Sequence, residues 1–337
     1  MADVAAAAGV SRATVSRVLS GDPAVIEPTA TAVREVIDRL GYRPDLAARA
    51  LMGSSRTLGV LFGEPPARAS AHLLAGIHDA ATSEGYTLTV AIATDHEGTQ
   101  LRRGLDAMVD QRIAAAIVLP ATPLNAQLVA DADVPFPVVS TTDLGPDAPL
   151  SIAALNEREA VDVVVNHLQQ IGRTRILHIS DRPGTIVSQM RHDGWAARVG
   201  DPALYETSNE WTANAGYEAL HRAIARGVRP DAVFAASDDL ALGILRAAAE
   251  LNLRVPEDLA VAGFGGFPIT EYYGPGLTTM ETDLHERGSL AVDECLRRLA
   301  EPTSPPERRL LPAQLVVRSS TVLHPRARHL DRAEPKT

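Results

Sequence analysis

From residue 58 onward, short apolar runs alternate with stretches of helical periodicity, and the pattern occurs twice in succession. The first series of strand-like runs falls at 58–62, 86–93, 114–119 and 137–140, the second at 175–180, 231–235 and 259–264. Helical stretches lie between them, such as 73–84, 158–171 and 238–251. The runs are largely apolar, as strands buried on both faces are. Parallel strands need a long crossover, and a helix supplies it. Two series therefore predict two α/β subdomains, each a doubly wound parallel sheet. At about 150 residues per domain, 337 residues leave room for both. No run of about 18 apolar residues is present, so no membrane span is expected. The chain shows no basic segment followed by a long apolar one, so no secretory signal is expected either. Cys295 is the only cysteine, which excludes an internal disulfide and fits the cytoplasm. It lies in the stripe Val292, Cys295, Leu296, Leu299 at helical spacing and reads as a core residue, not a nucleophile.

A different pattern precedes residue 58. Three short helices are expected over about 2–8, 12–20 and the stretch bearing Val33, Val36, Ile37 and Leu40, which ends at Gly41. Ser11 can cap the second, and Val15, Val18 and Leu19 form its inner face. A helix-turn-helix needs a small residue where its helices cross, a glycine in the turn and an apolar residue in the second helix. Ala5, Gly9 and Val15 supply these. The outer face then carries Arg12, Ala13, Ser16 and Arg17, with Thr14 beside them. Arginine can pair with guanine O6 and N7 in the major groove. Hydroxyls at a helix start, Ser11 and Thr14 among them, suit phosphates. The net charge of −10 argues against nucleic acid, but its distribution does not. Residues 1–56 hold seven arginines against six acids, so the acid excess lies elsewhere. A segment so weakly basic needs a second copy to hold DNA.

In its sequence, 3–21 resembles the headpiece of the LacI/GalR family of transcriptional regulators. Leu40-Gly41-Tyr42-Arg43-Pro44 and a following hinge with Ala48 and Leu51 match the family's next segment. Further matches include Ala235-Ala236-Ser237-Asp238, Val255-Pro256-Glu257-Asp258, Val261-Ala262-Gly263-Phe264 and Val316-Val317-Arg318-Ser319-Ser320-Thr321. The resemblance spans about residues 1–322. It implies an N-terminal all-α helix-turn-helix headpiece followed by an α/β effector domain of two lobes, like a periplasmic binding protein. The divisions expected are a headpiece at 1–43, a hinge helix and linker at 44–57, an effector domain at 58–322 and a tail at 323–337. The first lobe would comprise 58–153 and 285–313, the second 154–284 and 314–322.

The same resemblance assigns roles. Arg12, Ala13 and Arg17 hold base-reading positions, Ser11, Thr14 and Ser16 lie near phosphate, and Tyr42, Ala48 and Leu51 extend the DNA contact. Leu51 matches a leucine that wedges into the minor groove. In the cleft, Arg191 aligns with the effector-binding arginine, Trp211 with an aromatic that stacks on the ligand, and Asp238 with an acid that accepts its hydroxyls. Two family features are absent. Ala69 and Ser70 stand in place of an aromatic pair, and Gly263-Phe264-Gly265-Gly266 replaces Gly-Phe-Asp-Asp. Glu64 and Tyr272 are the expected substitutes. The function implied is a cytoplasmic repressor. It would act as a homodimer on a pseudo-palindromic operator in double-stranded DNA, under control of a small effector such as a sugar or sugar derivative. The tail holds only Leu330, with no leucine heptad, so no tetramer is expected.

Two other classes compete. A solute-binding protein shares the two-lobed fold, but the headpiece and the missing signal segment argue against it. An enzyme would need a motif that is absent: there is no GxxxxGK[ST], GxSxG or HExxH, and Pro268 spoils a GxGxxG reading after Gly263. No catalytic residue, metal ligand or cofactor is assigned, because the ten histidines lack ligand spacing.

Overall fold

Leu58, Val60, Leu61 and Phe62 are all buried in the computed structural model, as a strand covered on both faces requires. They belong to β1 (Thr57–Phe62) of a parallel sheet. The structure describes residues 2–20, 24–40, 55–65, 68–95, 97–181, 183–208 and 210–322. The chain forms two units, Met1–Arg56 and Thr57–Thr337.

The first unit holds α1 (Ala2–Ala7), α2 (Arg12–Ser20) and α3 (Glu27–Leu40). Val4, Ala5, Val15, Val18, Ala30, Val33 and Val36 make its core, with Ile37 at the margin. Leu40, expected on the inner face, is about half exposed because α3 ends there and runs past the core. Leu19's side chain and the hinge over 41–54 lie outside the described residues.

The second unit contains two sheets. Sheet one joins β1 to β2 (Thr87–Ile92), β3 (Ala115–Leu119), β4 (Val138–Ser140), β5 (Ser151–Leu155) and β11 (Arg308–Leu311), in the order β11-β5-β4-β3-β1-β2. All of its pairs are parallel. Sheet two holds β6 (Ile176–Ser180), β7 (Tyr205–Thr207), β8 (Ala232–Ala235), β9 (Ala260–Gly265), β10 (Thr278–Glu281) and β12 (Gln314–Val316), in the order β12-β10-β9-β8-β6-β7. Its pairs are parallel except that of β10 with β12. Five of these strands, β5, β7, β10, β11 and β12, were not among the expected runs. Four of them, β7, β10, β11 and β12, mix polar with apolar residues and so form no apolar run in the sequence.

Helices cover both faces of each sheet. Sheet one lies between α4 (Arg68–Ser83) with α12 (Leu284–Ala300) on one side, and α5 (Thr99–Asp110) with α6 (Pro123–Ala130) on the other. Sheet two lies between α7 (Glu157–Gln170) with α8 (Ile186–Val199), and α9 (Ala213–Ala225) with α10 (Asp238–Glu250). The short α11 (Ile269–Tyr272) follows β9. The chain passes between lobes after β5, after β10 and after β11. Lobe one thus takes in β5 to Leu155, two residues beyond the expected division. Cys295 is fully buried in lobe one, and burial pushes its thiol up, away from nucleophilic use. No described helix is long and apolar enough to cross a membrane.

Candidate functional site

Two surfaces carry chemistry, one in each unit. In the headpiece, Gly9 adopts φ +65° and turns the chain between α1 and α2. Ser11 caps α2: its Oγ accepts the Thr14 N–H at 3.0 Å and lies 2.9 Å from the Thr14 hydroxyl. Val15 and Val18 anchor the inner face of α2. The opposite face presents Arg12, Ala13 and Arg17, all exposed. A helix that keeps its apolar side on a small core and turns arginines outward has the form that enters a major groove. Ser16's side chain, and Tyr42, Ala48 and Leu51 altogether, lie outside the described residues. Glu27 is the first residue of α3 and pairs with Arg34 at 2.9 Å.

In the second unit, a cavity of about 180 Å³ lies between the lobes. Its walls come from the loops after β1, β3, β4, β5, β8, β9 and β10, where open parallel sheets take ligands. Arg191 on α8 sits on its wall. Its Nε donates to Glu157 Oε2 at 2.9 Å, its Nη2 to Glu157 Oε1 at 3.1 Å and its Nη1 to the Ala236 carbonyl at 2.5 Å. The guanidinium lies 3.8 Å from the Phe264 ring centre and 5.7 Å from that of Trp211. Three of its five N–H groups are used in this way, which leaves two for a ligand. Trp211 and Glu64 line the same cavity, and so do Ala69 and Ser70 of the loop that lacks the family's aromatic pair.

Two expected residues are not on the cavity wall. Asp238 is fully buried and turned into lobe two. Its Oδ1 accepts the Thr279 hydroxyl at 2.5 Å, and its Oδ2 accepts the Phe267 N–H at 2.9 Å. Burial pushes it up to about 6, against the lowering effect of those bonds and of one from Gly266. The glycine pair in place of the family's acids explains this arrangement. Gly266 has φ +76°, and a Cβ there would strike Glu281, so only glycine can present its N–H in that turn. The acid that does face the cavity is the next residue, Asp239. Tyr272, at the end of α11, is 79% exposed and points to no part of the cavity.

The cavity also gathers residues that the sequence did not single out. Arg68 of α4 reaches Asp239 of α10 at 3.2 Å, a pair that spans the lobes. Asp143 after β4 holds Arg308 through both oxygens, at 2.8 and 2.6 Å. Arg287 in the first turn of α12 completes the charged set. Phe267 reaches from lobe two into the lobe-one core and stacks on His72 with ring centres 5.8 Å apart. Each belongs to a different loop or helix end, so no local spacing links them.

The chain matches the bacterial regulatory proteins of the lacI family over residues 1–45 and the periplasmic binding protein-like domain over residues 165–321. It is 29% identical to the ribose operon repressor of Escherichia coli K12, over 95% of this chain and 99% of that protein. It is 32% identical to the HTH-type transcriptional regulator MalR of Streptomyces coelicolor, over 96% and 97%. The lac repressor dimer bound to operator and the anti-inducer ONPF resembles it with a TM-score of 0.86 at 26% identity, covering 95% of this chain and 98% of that one.

Proposed function

Because this chain belongs to the lacI family of bacterial regulatory proteins, it is a DNA-binding transcriptional regulator, and we propose that it works as a cytoplasmic homodimeric repressor with a pseudo-palindromic operator and a small polar effector. The observation that carries this reading is the exposed ridge of Arg12, Ala13 and Arg17 on α2, in a chain that also holds a two-lobed unit with a cavity lined by charged, hydroxyl-bearing and aromatic side chains.

Arg12 and Arg17 read base edges in the major groove, with Ala13 between them, while Ser11, Thr14 and Ser16 meet phosphate. Tyr42 and Ala48 extend the contact, and Leu51 unstacks a base step in the minor groove. Residues 1–56 carry one net positive charge, too little to hold DNA alone, which favours two copies on a symmetric site. The effector is a sugar or sugar derivative that lies against Trp211 and hydrogen-bonds to Arg191, with Glu64 and Asp239 as acceptors. It shifts operator affinity only by binding one arrangement of the lobes more tightly than the other.

Arg17→Ala tests the headpiece part of this reading. Operator binding should weaken by about 1–3 kcal/mol, with relaxed preference at one base pair per half-site. Equal losses on operator and on unrelated DNA would show that Arg17 reads no base.

A further inference from the structure

Three carboxylates on the cavity wall are already committed within the protein. Asp143 holds Arg308, Asp239 faces Arg68, and Glu157 gives both oxygens to Arg191. Arg287 has no such partner. Among the described residues its guanidinium makes no hydrogen bond or close ion pair, and its Nε is shut off from solvent with no acceptor. The charges that act on it are Glu157 and Arg191. Glu64, which also lines the cavity, is not among them. Burial, opposed by Glu157 and reinforced by Arg191, pushes Arg287 down to about 10, so it stays cationic at neutral pH.

Two guanidiniums therefore share one carboxylate, and that carboxylate is saturated by Arg191. A half-buried cation whose Nε is shut off from water and from any acceptor is costly unless an anion meets it. Arg287 lines the cavity, where a ligand can reach it. A guanidinium fork matches the two oxygens of a carboxylate or phosphate. We infer that the effector carries an oxyanion, a carboxylate or a phosphate, seated on Arg287 and on the two N–H groups of Arg191 that the protein leaves unused. This rests on the proposal that the cavity takes the effector, and it narrows the effector to an acidic, polyhydroxylated molecule. The threonine hydroxyls of Thr141, Thr142 and Thr282 and the face of Trp211 are left for the uncharged part of the ligand.

The test uses the full-length protein, calorimetric titration and operator binding. The probes are inorganic phosphate, glucose, glucuronate and glucose 6-phosphate. Phosphate alone should compete with the sugar acid that binds, and at least one acid should bind about tenfold or more tightly than glucose. Glucuronate and glucose 6-phosphate separate the carboxylate from the phosphate. The preference should vanish in Arg287→Met and persist in Arg287→Lys, with far-ultraviolet circular dichroism confirming that both variants are folded. Binding of glucose as tightly as either acid, no binding of either acid, or a preference that survives Arg287→Met would overturn the inference. Release of the operator by glucose but not by the acids would overturn it while leaving the effector proposal standing. Cavity binding by an acid with no change in operator affinity would support the oxyanion site and count against the effector proposal instead.

Discussion

The two lobes share one topology and differ in what they bring to the space between them. In both sheets the first strand of the lobe sits second from one edge, and the order of the remaining strands is the same. The difference in backbone lies at the last strand: β11 joins lobe one in parallel, β12 joins lobe two antiparallel. The difference in chemistry is larger. Lobe one lines the cavity with Glu64, Ser70, Thr141, Thr142 and Asp143, hydroxyls and carboxylates from its strand loops, and with the cations Arg68 and Arg287 from its helices. Lobe two supplies the single cation Arg191 with the acids Glu157 and Asp239, and the aromatic faces of Trp211, Phe264 and Phe267. The repeated sheet fixes where loops converge, and the loops alone decide what they recognise. Recognition then depends on both lobes, which is how a ligand can report on their arrangement.

The strongest way to break this asymmetry is to remove the cation of lobe two. Arg191 and Glu157 are 11% and 6% exposed, so the pair is buried. Arg191→Ala strands a desolvated carboxylate and should cost about 3–5 kcal/mol in urea unfolding, along with all response to ligand. Arg191→Met combined with Glu157→Gln removes both charges and should recover most of that stability without restoring the response. If Arg191→Ala alone leaves stability unchanged, the pair does not anchor α8 to α7.

The sequence made the two-lobed α/β plan and the helix-turn-helix legible for a shared reason. Long apolar runs and Ala5, Gly9 and Val15 act through local spacing, which is visible in one dimension. The cavity was legible only where resemblance could carry a position across, as for Arg191 and Trp211. It failed at Asp238, though a signal was present: Asp238 lies three and seven residues before Ala241 and Leu245, on the apolar stripe of α10, so helical geometry aims it inward. Tyr272 failed because nothing in a four-residue helix sets the direction of its side chain. Arg287 was invisible because its meaning lies in Glu157 already being taken by a third residue.

Asp238 offers the next test, one that applies to lobe two and not to lobe one. Its folded value, about 6, lies above the ordinary carboxylate value near 3.9. The folded protein therefore holds this proton more tightly than the unfolded chain. The stability it contributes is full below about pH 4 and is lost as pH rises through about 6, a loss of about 3 kcal/mol by neutrality. In Asp238→Asn the amide oxygen can keep the N–H groups of Phe267 and Gly266, while its NH₂ donates to Thr279. The difference in unfolding free energy between wild type and variant should slope across pH 4–6 and flatten on either side. A flat difference across the whole range would place the titration elsewhere.

The smallest effect is expected where the lobes meet at the surface. Arg68 and Asp239 join lobe one to lobe two, but the Arg68 side chain is 57% exposed, so water and salt screen the pair. Two other links across the cleft are better protected: the Ile186 N–H donates to the Ala121 carbonyl at 2.8 Å, and Phe267 is buried in the lobe-one core. Arg68→Ala and Asp239→Ala in a double-mutant cycle should therefore show a coupling of about 0.2–1 kcal/mol that fades at high salt. Asp239 also faces the ligand space, so the cycle is run without ligand. A coupling above about 2 kcal/mol would mean that the pair is desolvated and clamps the lobes together. In that case the two lobes would have to be treated as one rigid body, and ligand-driven rearrangement between them would lose its physical basis.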